Sequence, residues 1–214
     1  MFDSLTEALS LVERSYSSNT VENLEPVIEF ISKQQVKNGK DAGVFIELGD
    51  VSSPESRLFT GERLQTRLAI KNMLTINSAR AILISKVPSS DAQKTIELTN
   101  SWLENQCFSG FCSAGECRHS TLMYMRYLAL QGNHGKLEFM IPELSRHRDG
   151  KGSWKGFPYY YTLLTLLEIP IESAKEELLY AYPTIEDKIR HSRSSEPFSS
   201  RREEILERVR STLG

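Results

Sequence analysis

Gly61-Glu62-Arg63-Leu64-Gln65-Thr66-Arg67-Leu68 and Gly115-Glu116-Cys117-Arg118-His119-Ser120-Thr121-Leu122 superpose without a gap at an offset of 54. The apolar positions continue past them: Leu68 matches Leu122, Ile70 matches Tyr124, Met73 matches Tyr127 and Leu74 matches Leu128. A third copy opens at Phe157-Pro158-Tyr159-Tyr160-Tyr161-Thr162-Leu163. Each begins with a glycine-containing turn and runs into an apolar helix, followed by a more amphipathic one. One such pair cannot bury both faces of its apolar helix, so neighbours must stack. The repeat predicts helices over 61–75, 118–131 and 157–168, side by side in an inner layer with the amphipathic helices behind.

Outward from these copies the punctuation stays helical. Ser4 and Glu7 read as a capping box before Leu5, Ala8, Leu9 and Val12. Asn23 and Pro26 open a second helix, Ser90 and Gln93 another. Ser200 and Glu203 open the last, with Ile205, Leu206, Val209 and Leu213 on one face. Gly43-Val44-Phe45-Ile46-Glu47-Leu48 is the one stretch with strand character, and its shortness favours an extended loop against the helices. The expected organisation is one all-α domain: a helix-pair array over 1–189, a polar linker over 190–200, and a C-terminal helix over 201–214. That last helix packs on the array or on a partner.

Composition narrows the function. The chain has 214 residues, 25% of them charged, and a net charge of -2, so no basic field invites nucleic acid. No apolar run reaches the roughly 18–20 residues of a membrane span. The N-terminal segment lacks a secretory pattern, and three cysteines do not make a disulfide framework, so a cytoplasmic setting is expected.

Gly110-Phe111-Cys112 through His119-Ser120-Thr121, with Arg126-Tyr127-Leu128, resembles one repeat of the α/α-toroid proteins. So does Asp149-Gly150-Lys151-Gly152-Ser153-Trp154-Lys155-Gly156-Phe157-Pro158-Tyr159-Tyr160-Tyr161-Thr162. These are the protein prenyltransferase β subunits and the squalene and terpene cyclases, in which a glycine turn precedes an inner helix opening with His-Thr or Tyr-Thr. The resemblance covers about 107–168 and implies inner helices around a central cavity. It departs in length, because six helix pairs of about 45–50 residues need a longer chain. The implied array is therefore open or incomplete. The cyclase acid motif Asp-x-Asp-Asp is absent, and so is the prenyltransferase Asp-x-Cys, although His119 stands where a zinc-binding histidine would.

Two classes of function follow. The first is a binding or interaction module that holds an apolar or amphiphilic ligand, or a partner helix, in an aromatic-lined cavity. Its candidate ligand-binding residues are Arg118, His119, Tyr124, Arg126, Trp154, Lys155, Tyr159 and Tyr160. The second is a prenyl-transfer-type enzyme acting on an isoprenoid diphosphate, for which Arg118, Arg126, Arg146, His147 and Arg148 could hold the anion. No cofactor is demanded. Cys107, Cys112, Cys117 and His119 offer four ligands for zinc, but C-x4-C-x4-C-x-H lacks the paired spacing of established zinc motifs, and the pattern favours a glycine-rich turn whose cysteines pack as small hydrophobes. Cys117, at a helix start beside Arg118 and His119, also has neighbours that lower a thiol pKa. Arg126 interrupts an apolar helix, so it should pair with a carboxylate or point into a polar cavity. An open array leaves end helices without neighbours, which a homodimer or intramolecular capping would cover.

Overall fold

The computed structural model describes residues 2–18, 20, 23–47, 56–86, 90–191 and 197–214. Among them are nine α-helices, one short 3-10 turn and no strand. The helices are α1 (Leu5–Ser17), α2 (Glu25–Lys33), α3 (Arg67–Ser85), α4 (Ser90–Leu103), α5 (Cys117–Leu130), α6 (His134–Ser145), α7 (Tyr159–Leu167), α8 (Glu172–His191) and α9 (Ser199–Leu213).

The helix starts have identifiable causes. The Glu7 N–H donates to Ser4 Oγ at 3.0 Å, while the Glu7 carboxylate reaches back to the N–H of Asp3 rather than Ser4. Asn23 Oδ1 accepts from the Glu25 N–H, and Pro26 occupies the first turn of α2. Thr66 caps α3 through the Ala69 N–H. These side chains satisfy amide donors that the first helical turn cannot pair internally. The Ser90 side chain lies outside the described residues, and α9 begins at Ser199 with Phe198 before it.

Inner and outer helices alternate as the repeat predicts. α3 packs on α5 and α5 on α7, while α4, α6 and α8 each back the inner helix that precedes them. α1 lies on α2 and α3, burying Leu5, Ala8, Leu9 and Val12, and α9 lies on α7 and α8, its start reaching the turn before α3. The first copy is out of register, however. α3 starts six residues after Gly61 but α5 only two after Gly115, and Leu68 is 55% exposed where its counterpart Leu122 is buried. Residues 56–64 instead form a turn with a single bridge between Arg57 and Arg63.

The segment after α2 is an extended loop joined to its neighbour by one bridge, Gln35 to Phe45, with Val44 and Phe45 fully buried. Leu48 lies outside the described residues. Gly43 lets this loop approach α4: its φ is +93°, and a Cβ there would sit 2.4 Å from the Leu98 carbonyl oxygen. Any larger residue would lift the loop from the helix. The polar segment expected over 190–200 is shortened from both sides by α8 and α9, and 192–196 lie outside the described residues. Among the described residues no helix is long and apolar enough to cross a membrane.

Candidate functional site

Two polar clusters stand out, one in the core and one at the turn before α5. The core cluster answers the question posed by Arg126. Its guanidinium pairs with Glu13 of α1 and with Glu168 just beyond α7, and Nη1 donates to the Tyr161 hydroxyl at 3.0 Å. Arg80 of α3, equally buried, approaches Glu168 at 3.2 Å and Glu13 at 3.5 Å and donates to the Arg126 carbonyl oxygen. Burial opposes ionisation of Glu13, but Arg126 and Arg80 outweigh it and hold the carboxyl at about 2. Two guanidinium and two carboxylate groups thus cancel in a place where an unpaired charge would be very costly.

Above this cluster lies a cavity of about 270 Å³. Its apolar walls are Leu9 and Val12 from α1, Met73, Ala81 and Ile84 from α3, and Leu58 from the preceding turn, with Thr6, Ser10 and Arg57 as polar lining. Arg126, Glu13 and Tyr161 also line it, together with Phe59, Phe198 and Arg201. The Asn77 Oδ1 on its lining is buried without a hydrogen-bond partner. Arg201 donates to the Phe59 carbonyl and lies 4.4 Å above the Phe59 ring. Among the described residues no carboxylate lies within ion-pair distance of it. Burial, and then Arg14, press the Arg201 pKa downward, and Glu13 opposes them in part.

Of the ligand-binding residues expected from sequence, Arg126 lines this cavity and the other seven do not. Arg118 ties the starts of two inner helices together, donating to the Gly115 and Gly156 carbonyls at 2.6 Å each. A Cβ on Gly156 would fall 1.9 Å from its Nη1, so the backbone glycine is what admits the guanidinium. Trp154 is buried and gives its indole N–H to Glu177 at 2.7 Å. Glu177 also accepts from Ser145 and Arg148, so the Asp149–Trp154 turn is fastened to α6 and α8. Tyr124 is buried against Phe108 and accepts from Lys136. Lys155 is exposed. The three tyrosines go to three surroundings. Tyr161 enters the core cluster, Tyr159 lies under Lys188, and Tyr160 lies between Lys188 and Arg202. Arg146 pairs with Glu143, and His147 packs between Phe111 and Phe157.

Helix starts present unpaired amides that favour anions. At α3 the slot is filled from within: the Glu116 carboxylate accepts the Gln65 and Thr66 N–H groups at 2.7 Å each. An external anion would have to displace it.

The second cluster gathers every cysteine of the chain. The Sγ atoms of Cys107, Cys112 and Cys117 lie within 4.8 Å of one another, and none is in a disulfide. Local structure explains the convergence. A 3-10 turn over Cys107–Gly110 buries Phe108 against Tyr124, and Phe111 follows at φ +71°, packed between His147 and Phe157. A side chain held at positive φ costs about 1–3 kcal/mol and persists only where packing fixes it. Cys112 is then clamped to α5 twice, its N–H donating to Thr121 Oγ1 and its carbonyl accepting from the same hydroxyl. Cys117 is the first residue of α5.

His119 does not join the thiols: its ring nitrogens lie outside the cluster, and Nδ1 is buried without a partner. Burial pulls its pKa below the ordinary value despite Glu116. The expectation of an activated Cys117 is also corrected. Burial, followed by Cys107 and Cys112, pushes its thiol up to about 12, opposite to the lowering that its sequence neighbours favour. Arg80, Glu13 and Glu168 escaped the sequence reading. Only Arg80, in the apolar run Ala79-Arg80-Ala81-Ile82, carries the kind of signal that singled out Arg126. No family model, curated protein or solved structure matches this chain.

Proposed function

We propose that this chain is a binding module of the open, toroid-like helix-array kind, and that its central cavity takes a small anionic amphiphile. One observation carries the reading: a partly apolar cavity of about 270 Å³ bordered by an arginine without a carboxylate partner among the described residues. Ligand sites of this type are mostly apolar with a few placed polar groups, and span roughly 300–1,000 Å³. This one sits at the lower edge, which favours a short chain. Apolar walls would take the tail, Arg201 the carboxylate or phosphate, and Asn77 a hydroxyl donor. The neutral Arg126–Glu13 pair would close the floor without attracting charge of either sign.

Titration calorimetry with dodecanoate and with geranyl diphosphate tests the proposal. Binding should weaken at least tenfold in Arg201→Ala and vanish in Ala81→Phe, which fills the cavity, while circular dichroism stays helical. No heat from either ligand at millimolar concentration, or equal affinity in all three proteins, would sink it.

A prenyl-transfer-type enzyme, acting on an isoprenoid diphosphate with zinc, is the second reading, and the three converging thiols favour it. Against it, Cys117 lines a different cavity from Arg126 and Arg201, whereas the reaction needs metal and diphosphate at one centre. Incubating the zinc-supplemented protein with farnesyl diphosphate and a cysteine peptide should give no prenylated peptide, and its formation would reverse the order of the two readings.

A further inference from the structure

We propose that Cys107, Cys112 and Cys117 form a three-thiolate site for a soft divalent cation of the zinc class, with a fourth coordination position open to exogenous ligand. The inference starts from the zinc of the second reading but does not need its reaction, and it stands apart from the amphiphile cavity.

The geometry comes first. Zinc–sulfur bonds of about 2.3 Å at tetrahedral angles place two thiolates about 3.8 Å apart. Cys107 and Cys117 Sγ lie 3.6 Å apart, and all three sulfurs fall within 4.8 Å. Small side-chain rotations suffice to close three bonds on one ion. The backbone is already fixed for that purpose by the buried Phe108, the packed Phe111 and the double clamp of Thr121 on Cys112. Such preorganisation has no evident use if the cysteines serve as hydrophobic filler, because Cys107 is exposed and buries little.

Charge is the second argument. Binding releases one proton from each of three thiols to solvent and leaves a site of net charge -1. Cys117 opens α5, whose N-terminal end favours negative charge, and Arg118 follows it. The chain has no fourth cysteine.

The open position rests on an independent feature. Cys117 lines a cavity of about 350 Å³ with Thr66, Asn72, Ala114, Glu116 and Ser120. Asn72 is 2% exposed, and its Nδ2 donates to Ser120 Oγ at 2.9 Å. Its Oδ1 is buried and accepts nothing. A buried acceptor left without a donor suits a cavity whose occupant supplies the hydrogen, such as metal-bound water or a hydroxyl compound. Zinc sites with three protein ligands hold water or substrate in this way, and closed four-ligand sites do not.

Cobalt(II) titration of the reduced, full-length protein tests both parts. One equivalent should produce near-ultraviolet thiolate-to-cobalt absorption and the visible bands of tetrahedral cobalt, both removed by added zinc. Cys107→Ser alters an exposed residue, so the fold survives, and it should weaken cobalt binding by more than about 100-fold, since loss of an outer-shell partner alone costs 10–100-fold. Imidazole should shift the visible bands, and His119→Ala should leave them unchanged. A pale octahedral spectrum without thiolate absorption, or full binding by Cys107→Ser, would overturn the site. Bands that ignore imidazole but change in His119→Ala would overturn the open position. Dodecanoate binding reads the central cavity separately, so either proposal can fail alone.

Discussion

The core quartet of Glu13, Arg80, Arg126 and Glu168 is assembled from distant parts of the chain, whereas the thiol trio of Cys107, Cys112 and Cys117 comes from one short run. In the quartet the two guanidinium and two carboxylate groups are matched, and its groups are nearly all buried. The trio lies at the rim, its backbone is held rigidly, and its sulfurs contact chiefly one another. The difference teaches how to separate structure from site. The charge-matched quartet, in which Arg80 Nε is buried without a partner, has spent most of its bonding capacity on the fold, whereas a preorganised cluster with no charge match retains capacity for something else. The same distinction explains why Arg118 and Trp154, chemically rich in the sequence, are bound up in the turns: their donors already serve the Gly156 carbonyl and Glu177.

Breaking the quartet should give the largest effect. Arg126→Ala leaves two buried carboxylates competing for Arg80, and removing one member of a buried pair costs about 3–5 kcal/mol. Urea denaturation monitored by circular dichroism measures it. A loss below about 1 kcal/mol, the range of exposed ion pairs, would show that the quartet is solvated and the contrast false.

Acid sharpens the comparison next. The Glu13 carboxyl is held near 2 in the fold against an ordinary 4.5. Its contribution is therefore complete above about pH 4.5 and is lost as pH falls from there toward 2, because the unfolded chain takes up the proton first. Thermal melts between pH 5 and pH 2 should fall more steeply in the native protein than in Glu13→Gln, which has no proton to take up. Parallel curves would mean that Glu13 is not held down by the arginines.

The smallest expected change in stability is at the trio. Cys107 is exposed, so Cys107→Ala without metal should shift stability by no more than about 0.5 kcal/mol. A larger loss in metal-free protein would make the thiols structural, like the quartet.

Much of the helical layout was legible in the sequence, because helix periodicity and capping are local. Ser4 and Asn23 sit within three residues of the amides they satisfy. The order of the inner helices was legible too, through the glycine turns and apolar runs. The register of the first copy was not: matching apolar positions cannot distinguish the Arg57–Arg63 turn from a first helical turn, and Thr66 rather than Gly61 decides where α3 starts. The candidate site was legible only in part. Cysteine spacing drew attention to the right residues, but not to the exclusion of His119, since neighbouring residues on a helix diverge by about 100°.

By itself, then, the sequence determined what depends on nearest neighbours along the chain: all-α character, helix ends, alternating apolar and amphipathic helices, and an arginine too deep in an apolar helix to stay unpaired. Tertiary structure decided what depends on neighbours in space. Arg126 meets Glu13 across 113 positions of sequence and Glu168 across 42, and no local pattern specifies either partner. Likewise the thiols of a C-x4-C-x4-C run converge because Phe108 and Phe111 find pockets on α5 and the next turn, and Thr121 finds the Cys112 backbone. Packing chooses those pairings by burying apolar area and satisfying polar groups together, a sum over the whole molecule that no single stretch contains.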